Sequence, residues 1–311
     1  MKYYLGIDLG GTNIAVGVVD EQYRLLQKRS APTPTGEDYN IIADAIKEVS
    51  LALLSEMNIS TADVECAGIG TPGQVNPETG YVVFACNLHM RNAPLGIVVS
   101  EKLGIKTFLC NDADAAAFGE AEAGVAKGTR SSVTITLGTG VGCGVVLGTT
   151  IIPGEGGHMI IRYGGEPCNC GRVGCFESYA SASALIRQTK AAMEQDKNSL
   201  MWKVAEASGK VNGRTVFDAM RQGDSTAKAV VEQYVDYVAC GIINICNLFQ
   251  PEMVCIGGGI SGEGESLISL IRERVQKEQY PLPDGSASKV EVCSLGNDAG
   301  IIGAALFGKY M

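Results

Sequence analysis

Apolar positions change period several times along the chain, and each change marks an element. From Tyr3 to Asp20, "YYLGIDLGGTNIAVGVVD" is a pair of apolar, β-rich runs around a Gly-Gly-Thr turn, which predicts a hairpin. "RLLQKRSAP" after it reads as a third strand. In "NIIADAIKEVSLALLSEM" the period becomes helical: Ile42, Ile46, Val49, Leu53 and Met57 predict an amphipathic helix over 40–57. "VECAGIGTPG" and "KTFLCNDADAAAFGEA" are apolar strands that each run into a loop, the second followed by an Ala-rich helix. Strands alternating with helices imply an α/β domain.

The opening pattern then returns. "SVTITLGTGVGCGVVLGTT" is again strand, glycine turn, strand; with Leu9-Gly10 laid on Leu137-Gly138, Val18 falls on Val146. At 311 residues the chain is too long for one ordinary core, so the repeat reads as a ββ unit opening each of two similar domains. Two such glycine hairpins facing each other across a cleft would present backbone N–H groups to a polyphosphate from both sides. A further apolar strand, "VCIGGGISG", follows a long apolar helix over 226–248 and ends in glycines.

Other phosphate-binding patterns fit less well. No G-x-x-x-x-G-K-[ST] occurs, which excludes a P-loop, and "GTGVGCG" lies between two strands rather than at the strand-to-helix turn of a dinucleotide fingerprint. Taken alone, "DLGGT" with Asp8 is equally a plain hairpin turn. Three glycine loops with acids at strand ends suggest a nucleotide held between two lobes.

Charge and cysteine usage remove other classes. A formal net charge of -9, with no Lys/Arg block, excludes a phosphate-backbone binder, so no nucleic-acid partner is expected. No run reaches 18 apolar residues and "MKYYLGIDLGGTN" has no leader pattern, so no membrane association and a cytoplasmic location are expected. Eleven cysteines there are not a disulfide framework. Eight of them, Cys66, Cys86, Cys110, Cys143, Cys240, Cys246, Cys255 and Cys293, are scattered among small apolar residues and read as buried hydrophobes.

The remaining three stand in "GHMIIRYGGEPCNCGRVGCFE", spaced His158-x9-Cys168-x-Cys170-x4-Cys175. Three thiolates and one imidazole complete the tetrahedral set of a structural zinc, with glycines at 164, 165, 171 and 174 for the tight turns, and no position is left open for a catalytic water. The alternative is three buried thiols and a core histidine. A nucleic-acid zinc knuckle fails on charge.

"LGIDLGGTNIAVGVVD", "GIGTPGQV", "NDADAAAFGEA", "TLGTGVGCG", "EGGHM", "CNCGRVGCFESYAS" and "IGGGIS" occur in that order, and together they resemble the ROK family (repressor, open reading frame, kinase) over nearly the whole chain. The resemblance implies an actin-like hexokinase fold, two α/β lobes around a central cleft. It implies a smaller lobe of 1–112 plus 297–311 and a larger one of 113–296. It also implies transfer of the ATP γ-phosphoryl group to a hexose hydroxyl, and a homodimer.

Carried over by position, Asp112 is similar to the family's catalytic base, a role suited to a carboxylate at a strand end. Gly73, Asn87, Asn111, Asp112, Glu155, His158 and Glu177 fall on the sugar side. Asp8 would help hold Mg²⁺ with ATP. Gly10, Gly11 and Thr12 would cradle the phosphates on one side, and Gly138, Thr139 and Gly140 on the other, with Gly257, Gly258 and Gly259 near the adenosine. His158, Cys168, Cys170 and Cys175 would bind Zn²⁺. A zinc-bound His158 has its other ring nitrogen fixed in direction and able to face the sugar, so metal loss is expected to reach sugar affinity before ATP affinity.

The context "GTPG", "CNL" and "GCFES" looks most like bacterial glucokinases, which makes glucose the first acceptor to expect. Kinases of N-acetylmannosamine, fructose or allose use nearly the same motifs, and a non-catalytic sugar-binding regulator is the alternative from another class. A repressor would carry a winged helix ahead of the first hairpin. "LGTTIIPGEGGHM" runs almost directly from strand to Glu155, a shorter approach than in typical relatives, and "ACNLHMRNAPLG" with His89 reads as a cleft-edge loop.

Overall fold

The computed structural model describes residues 2–34, 36 and 38–310. β1 (Tyr3–Leu9) and β2 (Asn13–Asp20) form the antiparallel hairpin around the Gly-Gly-Thr turn, with Leu9 opposite Ile14, and β3 (Leu25–Pro32) runs antiparallel along β2. α1 (Tyr39–Glu56) starts on Asp38, whose carboxylate accepts from Asn40 N, an N-cap that satisfies an otherwise unpaired amide. β4 (Val64–Thr71) adds parallel to β1. β5 (Gln74–Asn76), β6 (Tyr81–Ala85) and β7 (Met90–Ala93) make a small separate meander. After α2 (Leu95–Leu103), β8 (Thr107–Asn111) joins parallel to β4 and leads directly into α3 (Asp112–Glu122). The main sheet is therefore ordered β3-β2-β1-β4-β8.

Both faces of this sheet are covered. Leu5, Ile7, Leu9, Ile14, Val16 and Val18 alternate onto one face and pack with Ile42, Ile46 and Leu53, the stripe whose helical spacing is visible in the sequence. The opposite face carries Tyr4, Val19 and Cys66 against Ile302, Ala305 and Leu306 of the C-terminal helix, α10 (Ala299–Tyr310). That helix lies on the strands at backbone distance. A Cβ on Gly6 would stand 1.9 Å from Ile301 O, and one on Gly68 1.8 Å from Ala304 O, so only glycine admits it.

A second sheet repeats the pattern. It contains β9 (Ser131–Leu137), β10 (Val141–Leu147), β11 (Thr150–Ile152), β12 (Met253–Gly257) and β13 (Lys289–Val292), ordered β11-β10-β9-β12-β13. Three strands followed by two crossover strands thus recur in the same spatial order, as the repeated glycine hairpin predicts. Between β11 and β12 lie α4 (Glu177–Ala180), α5 (Ala182–Gln195), α6 (Met201–Ala207), α7 (Thr215–Arg221) and α8 (Ser225–Phe249). α9 (Glu265–Glu278) links β12 to β13.

α8 has the length and apolar composition of a membrane span. Its apolar stripe is instead buried in protein: Val231, Tyr234, Val235, Val238 and Ile242 are all core, and Tyr234 donates its hydroxyl proton to Ala180 O at 2.7 Å.

Two compact units result. The first is Met1–Ser132, Gly144–Pro153 and Ser294–Met311, and the second is Val133–Cys143 and Gly154–Cys293. The boundary expected after 112 differs from this one because α3 packs on α10 at glycine contacts. A Cβ on Gly303 would meet Ala115 O at 1.7 Å, and one on Gly119 would meet Ala299 O at 2.4 Å. The stretch around His89 is also more regular than the loop expected. Its Cys86–Leu88 turn, closed by His89 at φ 52°, joins β6 to β7. Strands of four or five residues are too short to show a clear period in sequence.

Candidate active site

In the first unit the parallel strands β1, β4 and β8 end at one edge, and the sequence-selected residues gather there. The turn after β1 is held by Thr33, whose hydroxyl donates to Gly10 O at 2.7 Å and whose amide donates to Thr12 O at 3.0 Å. Gly10 N donates to Asn13 O at 2.9 Å. The carbonyls of Gly10 and Thr12 are thus both taken by Thr33. Asn87 flanks it: a Cβ on Gly11 would lie 3.5 Å from Asn87 Cβ.

Asn111 occupies the junction from β8 to α3. Its Oδ1 accepts from Ala113 N at 2.9 Å and Asp114 N at 3.3 Å, capping the helix, while Nδ2 donates to Gly73 O at 3.0 Å. Gly73 itself has φ +92°, and a Cβ there would strike Phe84 O at 2.2 Å, so the backbone can present this carbonyl only as glycine. Asp112 follows at the first helical position, and its Oδ1 accepts from Ala113 N at 2.9 Å.

Asp8 responds to the charge of Asp112. Burial lifts the Asp8 carboxyl to about 6, and the nearby Asp112 carboxylate pushes the same way. Burial also raises Asp112, against the hydrogen bond from Ala113 N. Gly300 at the start of α10 would bring a Cβ to 3.3 Å from Asp8 Cγ, so the helix closes one side of this acid. Two crowded carboxylates with raised pKa are the chemistry that a hard divalent cation relieves, and Mg²⁺ typically takes only one or two carboxylates beside water and phosphate.

The second unit builds its own turn after β9. Ala182 N donates to Gly138 O at 2.8 Å, Ser183 Oγ to Thr139 O at 2.9 Å, and Gly138 N to Gly140 O at 3.0 Å. All three carbonyls are thus engaged inside the protein; in the first turn those of Gly10 and Thr12 are. Gly258 at φ +83° lies against Leu137, where a Cβ would be 2.6 Å from its backbone, so Gly257, Gly258 and Gly259 stand beside this turn at the end of β12.

The cysteine cluster closes in the same unit. The ligand atoms of His158, Cys168, Cys170 and Cys175 all lie within 4.8 Å of one another. Cys170 Sγ and Cys175 Sγ are 3.7 Å apart, and Cys168 Sγ is 3.6 Å from His158 Nδ1. A tetrahedral zinc site has S–S edges of about 3.8 Å and S–N edges of about 3.5 Å, close to these two distances. Burial first, and then the neighbouring thiols, push Cys175 up to about 12, the crowding a bound cation would reverse. Tight turns at Gly171 (φ +86°) and Gly174 (φ +84°) fold the segment, with a bridge between Ile160 and Cys175.

Glu155 is exposed and opens the short turn Gly156–His158; its carbonyl accepts from His158 N at 2.9 Å. Glu177 begins α4, and its Oε2 accepts from Val141 N at 3.0 Å. Each unit therefore assembles its own set: Asp8, Gly10, Gly11, Thr12, Gly73, Asn87, Asn111 and Asp112 in the first, and Gly138, Thr139, Gly140, Glu155, His158, Glu177, the three cysteines and Gly257–Gly259 in the second. Sequence reading missed Thr33 and Ser183. They lie 23 and 44 residues from the carbonyls they hold, and a single hydroxyl leaves no local pattern.

Comparison with known proteins supplies the frame for these sites. A family model, the ROK family, matches residues 4–310. A glucokinase of Thermotoga maritima is 37% identical over 97% of this chain and 95% of its own length. The crystal structure of a ROK family glucokinase from Streptomyces griseus in complex with glucose and AMPPNP superposes with a TM-score of 0.82 at 32% identity, covering 99% of this chain and 100% of that one. A ROK hexokinase from Thermus thermophilus gives 0.81 at 32% identity, covering 99% and 98%. The fold is accordingly the actin-like hexokinase fold.

Proposed function

The chain belongs to the ROK family, and from that premise we propose that it is an ATP-dependent hexokinase that converts glucose to glucose 6-phosphate. The observation that carries the reading is Asp112, a carboxylate whose pKa is raised by burial at the first turn of α3, and whose charge raises that of Asp8 beside a glycine turn. The relatives named glucokinase, similar over nearly their whole length, favour glucose over other acceptors.

In this reading Asp112 accepts the proton of the attacking sugar hydroxyl as the new O–P bond forms and the bond to ADP breaks. Its raised pKa gives it more affinity for that proton than an ordinary aspartate has. Asn111 and Gly73 orient Asp112 through the helix cap and, with Asn87, Glu155, His158 and Glu177, are the proposed hexose contacts. Amides and carboxylates suit hydroxyl groups because a wrong epimer leaves one of them buried and unpaired. The turns 10–12 and 138–140 offer amide donors to the phosphates, and Gly257–Gly259 takes the adenosine side. Mg²⁺, when bound at Asp8 with ATP, supplies charge neutralisation at the phosphate oxygens.

His158, Cys168, Cys170 and Cys175 are the proposed ligands of a structural zinc. With Nδ1 of His158 toward the cluster, its Nε2 is the nitrogen left for the sugar. Eleven cysteines without a disulfide favour a cytoplasmic location. A homodimer, proposed from family resemblance, is checked by analytical ultracentrifugation.

The functional experiment is ADP release from Mg-ATP across glucose, mannose, fructose, allose, N-acetylglucosamine and N-acetylmannosamine. Glucose is expected to give the highest kcat/KM. Preference for another sugar would move the acceptor, and silence with zinc-containing protein would favour a sugar-binding regulator.

A further inference from the structure

Val141, the first residue of β10 and the one that follows the 138–140 turn, is bonded at its amide and closely approached at its carbonyl. Its N–H donates to Glu177 Oε2 at 3.0 Å. Its carbonyl is covered by Gly157, where any Cβ would come within 2.0 Å of it. The residues that grip it adjoin the metal-ligand set in sequence: Gly157 precedes His158, and Glu177 lies two residues after Cys175. Glu177 also faces the cluster directly, with Oε1 3.8 Å from Cys168 Sγ. Gly140 has no room for a side chain on account of the same carboxylate, since a Cβ would lie 2.2 Å from Oε2. Ala182 and Ser183, just beyond α4, take the carbonyls of Gly138 and Thr139.

We propose that Glu177 is a positioning residue that braces the 138–140 turn against the Cys/His cluster, so that the cluster governs nucleotide affinity as well as the sugar wall. This rests on reading that turn as a phosphate cradle. The physical basis is the shortness of the link between ligand and brace. Oε2 fixes the amide that ends the turn, and the backbone of Glu177 is tied to the cluster through Cys175 two residues before it, so a displacement of the cluster moves the amide. The turn's carbonyls are pinned by the segment that follows Glu177, so amide direction throughout the turn depends on where α4 starts. Three ligand thiols and α4 are connected within ten residues, which leaves little slack to absorb a collapse of the cluster. The expectation that metal loss reaches sugar affinity before ATP affinity is thereby widened: nucleotide binding should weaken together with it.

The test is calorimetric binding of the non-hydrolysable analogue AMPPNP with Mg²⁺, and separately of glucose, to metal-replete protein whose zinc content and circular dichroism are matched. Glu177→Ala is expected to weaken AMPPNP about tenfold, as loss of a hydrogen bond to a charged acceptor implies. Glu177→Gln keeps an oxygen able to accept from Val141 N–H and should recover most of that loss, although glucose binding stays impaired. Ser183→Ala should weaken AMPPNP without touching glucose. Removal of zinc by chelation from the otherwise folded protein should weaken AMPPNP in the wild type and add little in Glu177→Ala.

Thr139→Pro, which removes an amide from the tip of the turn, separates the two ideas. If it leaves AMPPNP affinity unchanged, the phosphate reading of the turn is wrong. If it weakens AMPPNP while Glu177→Ala affects glucose alone, the turn binds phosphate and the bracing role of Glu177 is overturned. Equal losses for Glu177→Ala and Glu177→Gln would also overturn it, because charge rather than the held amide would then matter.

Discussion

Asn111 donates from Nδ2 to the carbonyl of Gly73 at 3.0 Å while its Oδ1 caps the helix that begins with Asp112. One amide side chain therefore ties the end of β8, the loop after β4 and the start of α3 together. Asn111→Ala should lose the cap and the tether, with a cost on the order of 2 kcal/mol in stability. Asn111→Asp should keep the cap but not the tether, since a carboxylate cannot donate to Gly73 O, so it recovers only the cap's share of that stability; it should also be poorly active, because a second carboxylate beside Asp112 raises its pKa further. Thermal unfolding and a pH–rate profile of both variants check this.

Asp112→Asn is expected to reduce kcat by roughly 10²–10⁴, the range for removal of a general base, with glucose affinity measured by calorimetry nearly unchanged. A variant that keeps normal turnover would remove Asp112 from the base role.

The raised pKa of Asp8 has opposite consequences for activity and stability. Turnover that needs its carboxylate should fall as pH drops through about 6, and raising Mg²⁺ should shift that limb to lower pH because the cation favours the ionised form. For stability the sign reverses. The folded carboxyl holds its proton more tightly than the unfolded one, so the group destabilises the fold above about 6 and this penalty disappears as pH falls below the ordinary 3.8. Asp8→Asn should thus be inactive yet more stable at pH 7.5, by no more than about 3 kcal/mol. Differential scanning calorimetry at pH 5 and 7.5 should show the gain shrinking at the lower pH.

Metal analysis is expected to find about one zinc per chain. Cys170→Ser should lower zinc content and weaken glucose binding, and a metal-free preparation with full activity would exclude the cluster from function.

Glu120 is completely buried and accepts from Val125 N at 2.9 Å, Ser294 N at 3.1 Å, Ser294 Oγ at 3.2 Å and Leu295 N at 2.8 Å. It ties the end of α3 to the segment leading into α10. Glu120→Ala would leave these donors buried and unpaired, at a cost on the order of 3 kcal/mol or more. Chemical denaturation should show that loss, whereas removal of the exposed Lys2–Glu65 pair should leave stability nearly unchanged.

The amino-acid sequence by itself determined the two glycine hairpins and their repetition, the stripe of α1 and the spacing of His158, Cys168, Cys170 and Cys175. All of these are written in local period or in short-range spacing, and the second sheet's order, matching the first, follows from the repeat. Tertiary structure decided what holds those parts in place. Glu177 and Val141 are 36 residues apart, Ser183 and Thr139 are 44 apart, and Glu120 and Ser294 are 174 apart. It also decided that α3 belongs with α10, through glycines whose absent side chains let one backbone lie against another. Such contacts leave no periodic trace, because a buried acceptor needs only one donor of suitable direction, and the chain can bring that donor from any distance along its length.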